Sequence, residues 1–260
     1  MPAWSVVLPY YNETGYLRPT LESLFAQEFR DFRLILVDNA STDGSGKLAR
    51  DIAAAHSGIE TVQLYEDRPG KINALECGLA AVTTEFVTFC DADTFYPPHY
   101  LRRCAELFAS SDAVAVMAMD VPADHEGQAA QRKRAKVMTV SRILSRQTHT
   151  GGFGQSFRTE VLRKAGGFSA DIWPYVLEDH EVMQRVFKHG RSVYAPDLWC
   201  VPSTRRKDRT GVGWTTAEQL LYHLTPFALK DWFFYRFLAR RFTARALDNT
   251  KLRQKSWDQH

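Results

Sequence analysis

Apolar residues in the first half of the chain fall into short continuous runs separated by segments of helical spacing. Trp4 to Leu8, Phe32 to Val37, Thr61 to Tyr65, Phe86 to Cys90 and Ala113 to Met119 each read as a strand. Between them, Leu17, Leu21 and Leu24 share one helical face, and Ser41 to His56 reads as a helix opening at a Ser-Thr-Asp-Gly turn. Lys71 to Ala81 and Pro98 to Ala109 complete the helices of this half. Continuous apolar strands alternating with amphipathic helices predict an α/β fold with a mostly parallel sheet covered on both faces. Ligands of such sheets bind beyond the carboxyl ends of the strands. The polar clusters Tyr10 to Glu13, Asp38 to Thr42 and Asp91 to Thr94 each follow a strand directly, so all three share that edge.

After Met119 the pattern changes. A polar connector, Pro122 to Gln128, leads into a basic helix carrying Arg132, Lys133, Arg134, Lys136, Arg142 and Arg146 and running to about Gln147. The glycine-rich stretch Gly151-Gly152-Phe153-Gly154 precedes a short strand and helix, and Gly166-Gly167-Phe168 follows them. Another helix begins near Glu178, and Arg191 to Ala195 reads as a strand. From Thr215 onward the chain is helical, aromatic and basic. The expected division is one domain over residues 1–210, with halves at 1–119 and 120–210, and a helical extension over 211–260.

Composition narrows the function classes. With 260 residues and 45% hydrophobic content the chain can bury one sizeable core. Its net charge of +3 is too small to point to nucleic acid. Cys77, Cys90, Cys104 and Cys200 show no metal-ligand spacing and read as reduced, buried thiols. The start MPAWSVVLPYYNE lacks a basic leader and reads as the first strand rather than a signal peptide. The most apolar late segment, Leu220 to Leu238, is broken by His223, Pro226, Lys230, Asp231 and Arg236, so no membrane span is expected. The expected location is cytoplasmic, with peripheral contact at the inner face of the membrane left open.

Three clusters carry candidate chemistry. Asp91-Ala92-Asp93 places two carboxylates one residue apart at a strand exit, where they can address one ion and its ligand. Hard dications take one or two carboxylates plus phosphate oxygens. Read alone, the same triplet also describes a solvated turn. Asp38 stands where it can accept hydrogen bonds from a ribose or a base, whereas residues 41–44 read as helix capping. In Arg68-Pro69-Gly70-Lys71, a glycine permits close backbone approach between two cations suited to a pyrophosphate, although an ordinary exposed turn has the same composition.

Taken in order, Val7-Leu8-Pro9-Tyr10-Tyr11-Asn12-Glu13, Val37-Asp38-Asn39-Ala40-Ser41-Thr42-Asp43, Gly70-Lys71 with Ala74-Leu75 and Gly78-Leu79, and Asp91-Ala92-Asp93 resemble the family 2 glycosyltransferases of the GT-A fold. The resemblance continues through Gly151-Gly152, Phe157-Arg158, Gly166-Gly167-Phe168 and Glu178-Asp179-His180-Glu181 with Arg185, and covers residues 4 to 200. It implies a Rossmann-like, mostly parallel central sheet flanked by helices. It also implies a nucleotide-sugar-binding first half and an acceptor-binding second half.

By that resemblance Pro9, Tyr11 and Asp38 contact the base and ribose with Glu13 nearby. Arg68 and Lys71 lie near the base or diphosphate, Asp91 and Ala92 near the ribose or sugar, and Asp93 ligates Mg²⁺ or Mn²⁺. The general base maps to Asp179, with Gly151, Gly152, Glu178 and His180 on the acceptor side. The implied reaction is inverting transfer from a UDP, GDP or dTDP sugar to a hydroxyl of a glycan or lipid-linked glycan. Read alone, Glu178 to Glu181 is also an acidic first turn of a surface helix.

Two departures bear on the site. Cys77 stands where relatives often carry Asn. No histidine occurs between Trp199 and Arg206, where some relatives have a metal ligand. Arg205, Arg206 and Lys207 could fold over a diphosphate as a cationic lid or form an exposed basic loop. The C-terminal aromatics and arginines fit a membrane interface, a cover over the core or a dimer contact. A sugar nucleotidyltransferase would need a glycine-rich basic loop after the first strand, where this chain has Pro9 to Glu13. An inactive homologue is countered by the presence of Asp91, Asp93 and Asp179.

Overall fold

The computed structural model describes residues 2–205 and 212–254. Its centre is an eight-stranded sheet in the order β3-β2-β1-β4-β7-β6-β8-β5. Strands β1 (Trp4–Tyr10), β2 (Phe32–Asp38), β3 (Thr61–Tyr65) and β4 (Phe86–Phe89) are mutually parallel. The first three helices, α1 (Leu17–Phe25), α2 (Ser45–Ala55) and α3 (Lys71–Ala80), provide the crossovers.

The sheet is apolar on both faces, as the unbroken strand runs require. Val7, Ile35 and Val37 join one hydrophobic cluster with Leu75, Phe157 and Val182. Their neighbours Val6, Leu8, Leu34 and Leu36 join the other with Leu21, Ile52 and Leu101. A buried chain of hydrogen bonds pins the middle strands: Trp4 Nε1 donates to Thr88 Oγ1 at 2.8 Å, and that hydroxyl lies 2.7 Å from Ser156 Oγ.

The second half departs from a simple parallel continuation. After the short strand β5 (Thr94–Phe95) and helix α4 (Tyr100–Ala109), β6 (Ala115–Asp120) does not pair with β4. The strand β7 (Gln155–Arg158) inserts between them, antiparallel to both. The basic helix α5 (Gln128–Ile143) ends before Gln147, and α6 (Thr159–Lys164) and α7 (Glu178–Val186) follow β7. Strand β8 (Ser192–Pro202) is longer than the apolar run Arg191 to Ala195 suggested, because it pairs first with β6 and then, antiparallel, with β5.

The C-terminal segment forms α8 (Thr216–Leu224), α9 (Lys230–Trp232), a π-helical stretch Phe233–Leu238, α10 (Ala239–Ala244) and α11 (Lys251–Gln254). Phe233, Phe234, Leu238 and Phe242 are fully buried in the same cluster as Val7. This segment therefore covers the core along one side. Among the described residues no helix is long and apolar enough to cross a membrane.

Candidate active site

The chain runs outward from β1 to β3 and then crosses back to β4, so the strand order reverses between β1 and β4. Strand-end loops diverge at such a point and leave a crevice. Here a cavity of about 260 Å³ opens at the carboxyl ends, lined by Pro9, Tyr11, Glu13, Lys71, Asp91 and Ala92 among others. The loops around it are conformationally demanding. Asn12, Ala40 and Leu177, which directly precedes Glu178, all have positive φ without being glycine. Such strain concentrates where the surroundings hold a functional geometry. Gly70 has φ +123°, and a Cβ there would fall 1.7 Å from Asn249 Oδ1, so only glycine fits this turn.

Lys71, the first residue of α3, joins the two halves of the cleft. Its Nζ lies 2.6 Å from Asp91 Oδ1 and 3.7 Å from Glu178 Oε1. Burial opposes its charge, but Asp91, Glu178 and Asp179 outweigh that and raise its pKa. Burial also raises the Glu178 pKa; Lys71 pulls it down and Asp179 pushes it further up. Asp179 itself is held in place: its Oδ2 accepts from the Gly152 N–H at 3.1 Å and its Oδ1 from the His180 N–H at 3.0 Å. A Cβ on Gly152 would meet Lys71 Nζ at 3.1 Å, so the glycine lets loop and lysine approach. Buried Tyr96 ties the loops together, accepting from the Asp91 N–H and donating to the Phe153 carbonyl, both at 2.9 Å.

Beyond Asp91, Arg205 Nε donates to Asp93 Oδ2 at 3.0 Å and its terminal nitrogen donates to both oxygens of buried Glu13. Burial lowers the Arg205 pKa, but Glu13 and Asp93 outweigh it and raise the value overall. The β5–β8 pairing explains the arrival of Arg205, since it sets Thr94 against Pro202 and lets the Ser203 N–H bond the Asp93 carbonyl. At the other end of the cavity, the Arg253 guanidinium covers the Tyr11 ring at 3.7 Å and donates to the backbone carbonyl and side-chain oxygen of Asn39.

On the far side of Asp179, the His180 ring lies 4.2 Å from His149, 4.5 Å from Trp214 and 5.9 Å from Tyr222. Burial lowers the His149 pKa and favours its neutral form.

Of the expected residues, Pro9, Tyr11, Glu13, Lys71, Asp91 and Ala92 line the cavity; Asp93 is joined to it through Arg205 and Glu178 through Lys71, with Asp179 bonded to Gly152 and the His180 N–H and Gly151 next in the chain. Two further expected residues are not among those lining the cavity. The Asp38 carboxylate accepts from the Ser41 N–H at 2.8 Å, and Asn39 lines the cavity beside it. Arg68 is 56% exposed and pairs with Glu66 at 2.8 Å and Glu76 at 3.3 Å, outside the cavity lining. Helix α2 starts at Ser45 because residues 41–44 form a loop bonded to Asn12 and Thr14. Arg206 and Lys207 lie outside the described residues.

Sequence reasoning missed Asn39, Tyr96, Asn249 and Arg253. Asn39 was legible as the neighbour of Asp38, whereas nothing local distinguishes Arg253 from the other cations of the basic C-terminus. Among the described residues no group of three or more His, Cys, Asp or Glu side chains is placed to hold a metal. Glu13 and Asp93 both bond the Arg205 guanidinium, which occupies the space between them. A hard dication that keeps water and phosphate oxygens in its shell needs no more protein ligands than that.

The sheet order, the switch-point cleft and the helices on both faces define the GT-A glycosyltransferase fold. A mannosyltransferase of Pyrobaculum calidifontis, solved in complex with GDP-Man and Mn²⁺, matches with a TM-score of 0.66 at 26% identity, over 85% of this chain and 63% of that one. S. aureus TarS, residues 1–349 with UDP-GlcNAc, matches with a TM-score of 0.63 over 94% of this chain and 73% of that one; at 20% identity it shows the fold alone. The profile of Glycosyl transferase family 2 matches residues 5–165, and the chain belongs to that family. An uncharacterised glycosyltransferase of Nostoc sp. is 37% identical over 124 residues, 44% of this chain and 35% of the relative. The minor teichoic acid biosynthesis protein GgaA of Bacillus subtilis is 24% identical over 148 residues, 55% of this chain and 33% of the relative. The chain therefore spans about a third of the length of these two curated relatives.

Proposed function

We propose that this chain transfers a sugar from a nucleoside-diphosphate sugar to an acceptor hydroxyl, with inversion at the anomeric carbon and with help from Mg²⁺ or Mn²⁺. One observation supports this above the others. The cleft at the strand switch point holds Glu13 and Asp93 together on the Arg205 guanidinium, a cation a bound metal would displace, with the Lys71–Asp91 pair and Asp179 on the acceptor side.

Each residue then has a task. Tyr11 offers its ring to the base, beside Asn39, whose amide is held by the Glu66 and Arg68 carbonyls and the Gly70 N–H and shapes that end of the cavity. Asp93, with Glu13 nearby, would hold the cation; when bound, it supplies charge stabilisation for the departing nucleoside diphosphate without protonation. Lys71 keeps a positive charge close to the diphosphate side. Asp179, oriented by two backbone N–H groups, accepts the proton of the attacking hydroxyl. Attack from the face opposite the leaving group gives inversion. His180, Trp214 and His149 form the acceptor wall.

UDP, GDP and dTDP donors all fit this reading, and the acceptor class it carries is a glycan or lipid-linked glycan, with a cytoplasmic location. The test is a thermal-shift panel of UDP, GDP and dTDP with and without Mn²⁺, on the protein and on Asp93→Ala. One nucleotide at about a hundred times its Kd is expected to raise Tm by roughly 5–10 °C, only with Mn²⁺ and not in the variant. A metal-dependent rise that survives Asp93→Ala overturns the metal assignment. No rise with any nucleotide overturns the donor site and leaves an inactive homologue.

A further inference from the structure

Large apolar side chains on the surface are concentrated in one place. Of the eight exposed above about a third among the described residues, Ile143, Leu220, Leu224, Leu229 and Trp232 belong to the end of α5 and to α8 through α9. Helical geometry explains the first pair. At 100° per residue, Leu220 and Leu224 lie 40° apart and each 160° from Tyr222. Tyr222 is accordingly buried, while Leu220 and Leu224 are 59% and 70% exposed. A capping box at Thr215, with Glu218 held by Arg241 and Arg245, fixes the orientation of α8.

The end of α5 belongs to the same surface. The Tyr222 hydroxyl donates to the Gln147 carbonyl at 3.3 Å, and the Arg146 guanidinium lies 5.2 Å from the Phe227 ring centre. Ile143, one turn before Gln147, is 75% exposed. Cations frame the apolar residues. Arg142 and Arg146 flank Ile143, and Arg236 follows Trp232 by one turn. None of the three has a carboxylate partner among the described residues, and α5 contains no acidic residue. The nearest acid in sequence, Asp231, is engaged by Lys188 at 2.7 Å.

We infer that this face docks on the surface of an anionic lipid bilayer, with the leucines, Ile143 and Trp232 entering the interface and the arginines on the headgroups. The charge pattern favours this occupant over a second copy. A two-fold self-contact would bring the same unpaired arginines against one another, whereas an anionic bilayer neutralises them while accepting the apolar residues between them. The docking also orients the site. The opposite face of α8 presents Tyr222 to His180, next to Asp179, so the acceptor wall stands directly behind the docked surface. This last point rests on the acceptor reading of the Asp179 wall; the docking itself does not.

The test is vesicle flotation of the full chain with phosphatidylcholine alone and with phosphatidylglycerol added. Flotation is expected only with the anionic lipid, weakening as salt rises. Leu224→Glu with Leu229→Glu, and separately Arg142→Glu with Arg236→Glu, are each expected to weaken it roughly tenfold or more. Melting temperatures on the same samples identify a variant that has failed to fold, and nucleotide titration reports the donor site separately. Absence of flotation with phosphatidylglycerol, or flotation unchanged in both variants, overturns the inference. So does a dimer of the parent protein that light scattering shows becoming monomeric in Leu224→Glu with Leu229→Glu, which would make this face a self-interface.

Discussion

Lys71 is the residue whose removal tests the arrangement of the cleft most directly. Its ammonium stands between Asp91 at 2.6 Å and Glu178 at 3.7 Å, and the side chains of Lys71 and Asp91 are only 29% and 22% exposed. Breaking a fully buried ion pair costs about 3–5 kcal/mol, and an exposed pair about 1 kcal/mol or less. At this intermediate exposure Lys71→Met is expected to cost about 2–3 kcal/mol, which lowers Tm by roughly 4–12 °C in a chain of this size. The loss has a pH signature. Glu178 already has a raised pKa, and Lys71 is what restrains it, so the variant raises it further. A carboxyl whose folded pKa lies above its unfolded value binds its proton more readily in the folded state. Stability is then gained as pH falls through the folded pKa and lost as pH rises. The deficit of Lys71→Met relative to the parent protein is therefore expected to narrow between about pH 8 and pH 5. Adding Glu178→Gln, which removes the stranded charge, should recover part of it at the higher pH. Thermal melts of the nucleotide-free protein and both variants at the two pH values decide the matter. A deficit that neither narrows at low pH nor responds to Glu178→Gln would show that Lys71 stabilises by packing its stem alone.

Other outcomes follow from the same geometry. Asp179→Asn should leave nucleotide affinity unchanged while transfer falls about 10²-fold or more, and near-normal turnover would remove Asp179 from the reaction. Arg253→Ala uncovers Tyr11 and Asn39, so calorimetric titration should show nucleotide binding tightened by roughly tenfold or more, the worth of one cation–π contact and two hydrogen bonds. Weaker binding would instead make Arg253 a ligand of the nucleotide. Gly78→Ala places a methyl 2.4 Å from Val7 Cγ1, where α3 meets β1. Overpacking of that kind costs about 1–3 kcal/mol, and an unchanged melting temperature would mean that α3 shifts without penalty.

The sequence by itself determined the framework of this protein. Unbroken apolar runs can only be buried on both faces, which required a covered parallel sheet and placed Tyr10 to Glu13, Asp38 to Thr42 and Asp91 to Thr94 at one edge of it. Those expectations hold because period and burial are local properties of a strand, and a loop that follows a strand leaves from its carboxyl end whatever lies beside it. What lies beside it is decided elsewhere. The insertion of β7 between β4 and β6 depends on pairing Gln155–Arg158 with residues far away in sequence, and four residues carry too little pattern to announce it. Arg205 reaches Asp93 only because β8 runs past its apolar stretch to pair with β5. That Asn39 rather than Asp38 lines the cavity, while one Asp38 oxygen accepts from the Ser41 N–H of its own loop, depends on how that loop folds. Arg253 reaches Tyr11 from the other end of the chain. A side chain's chemistry is written in its own residue, but its partner is chosen by the packing of the whole chain, and only the tertiary structure makes that choice.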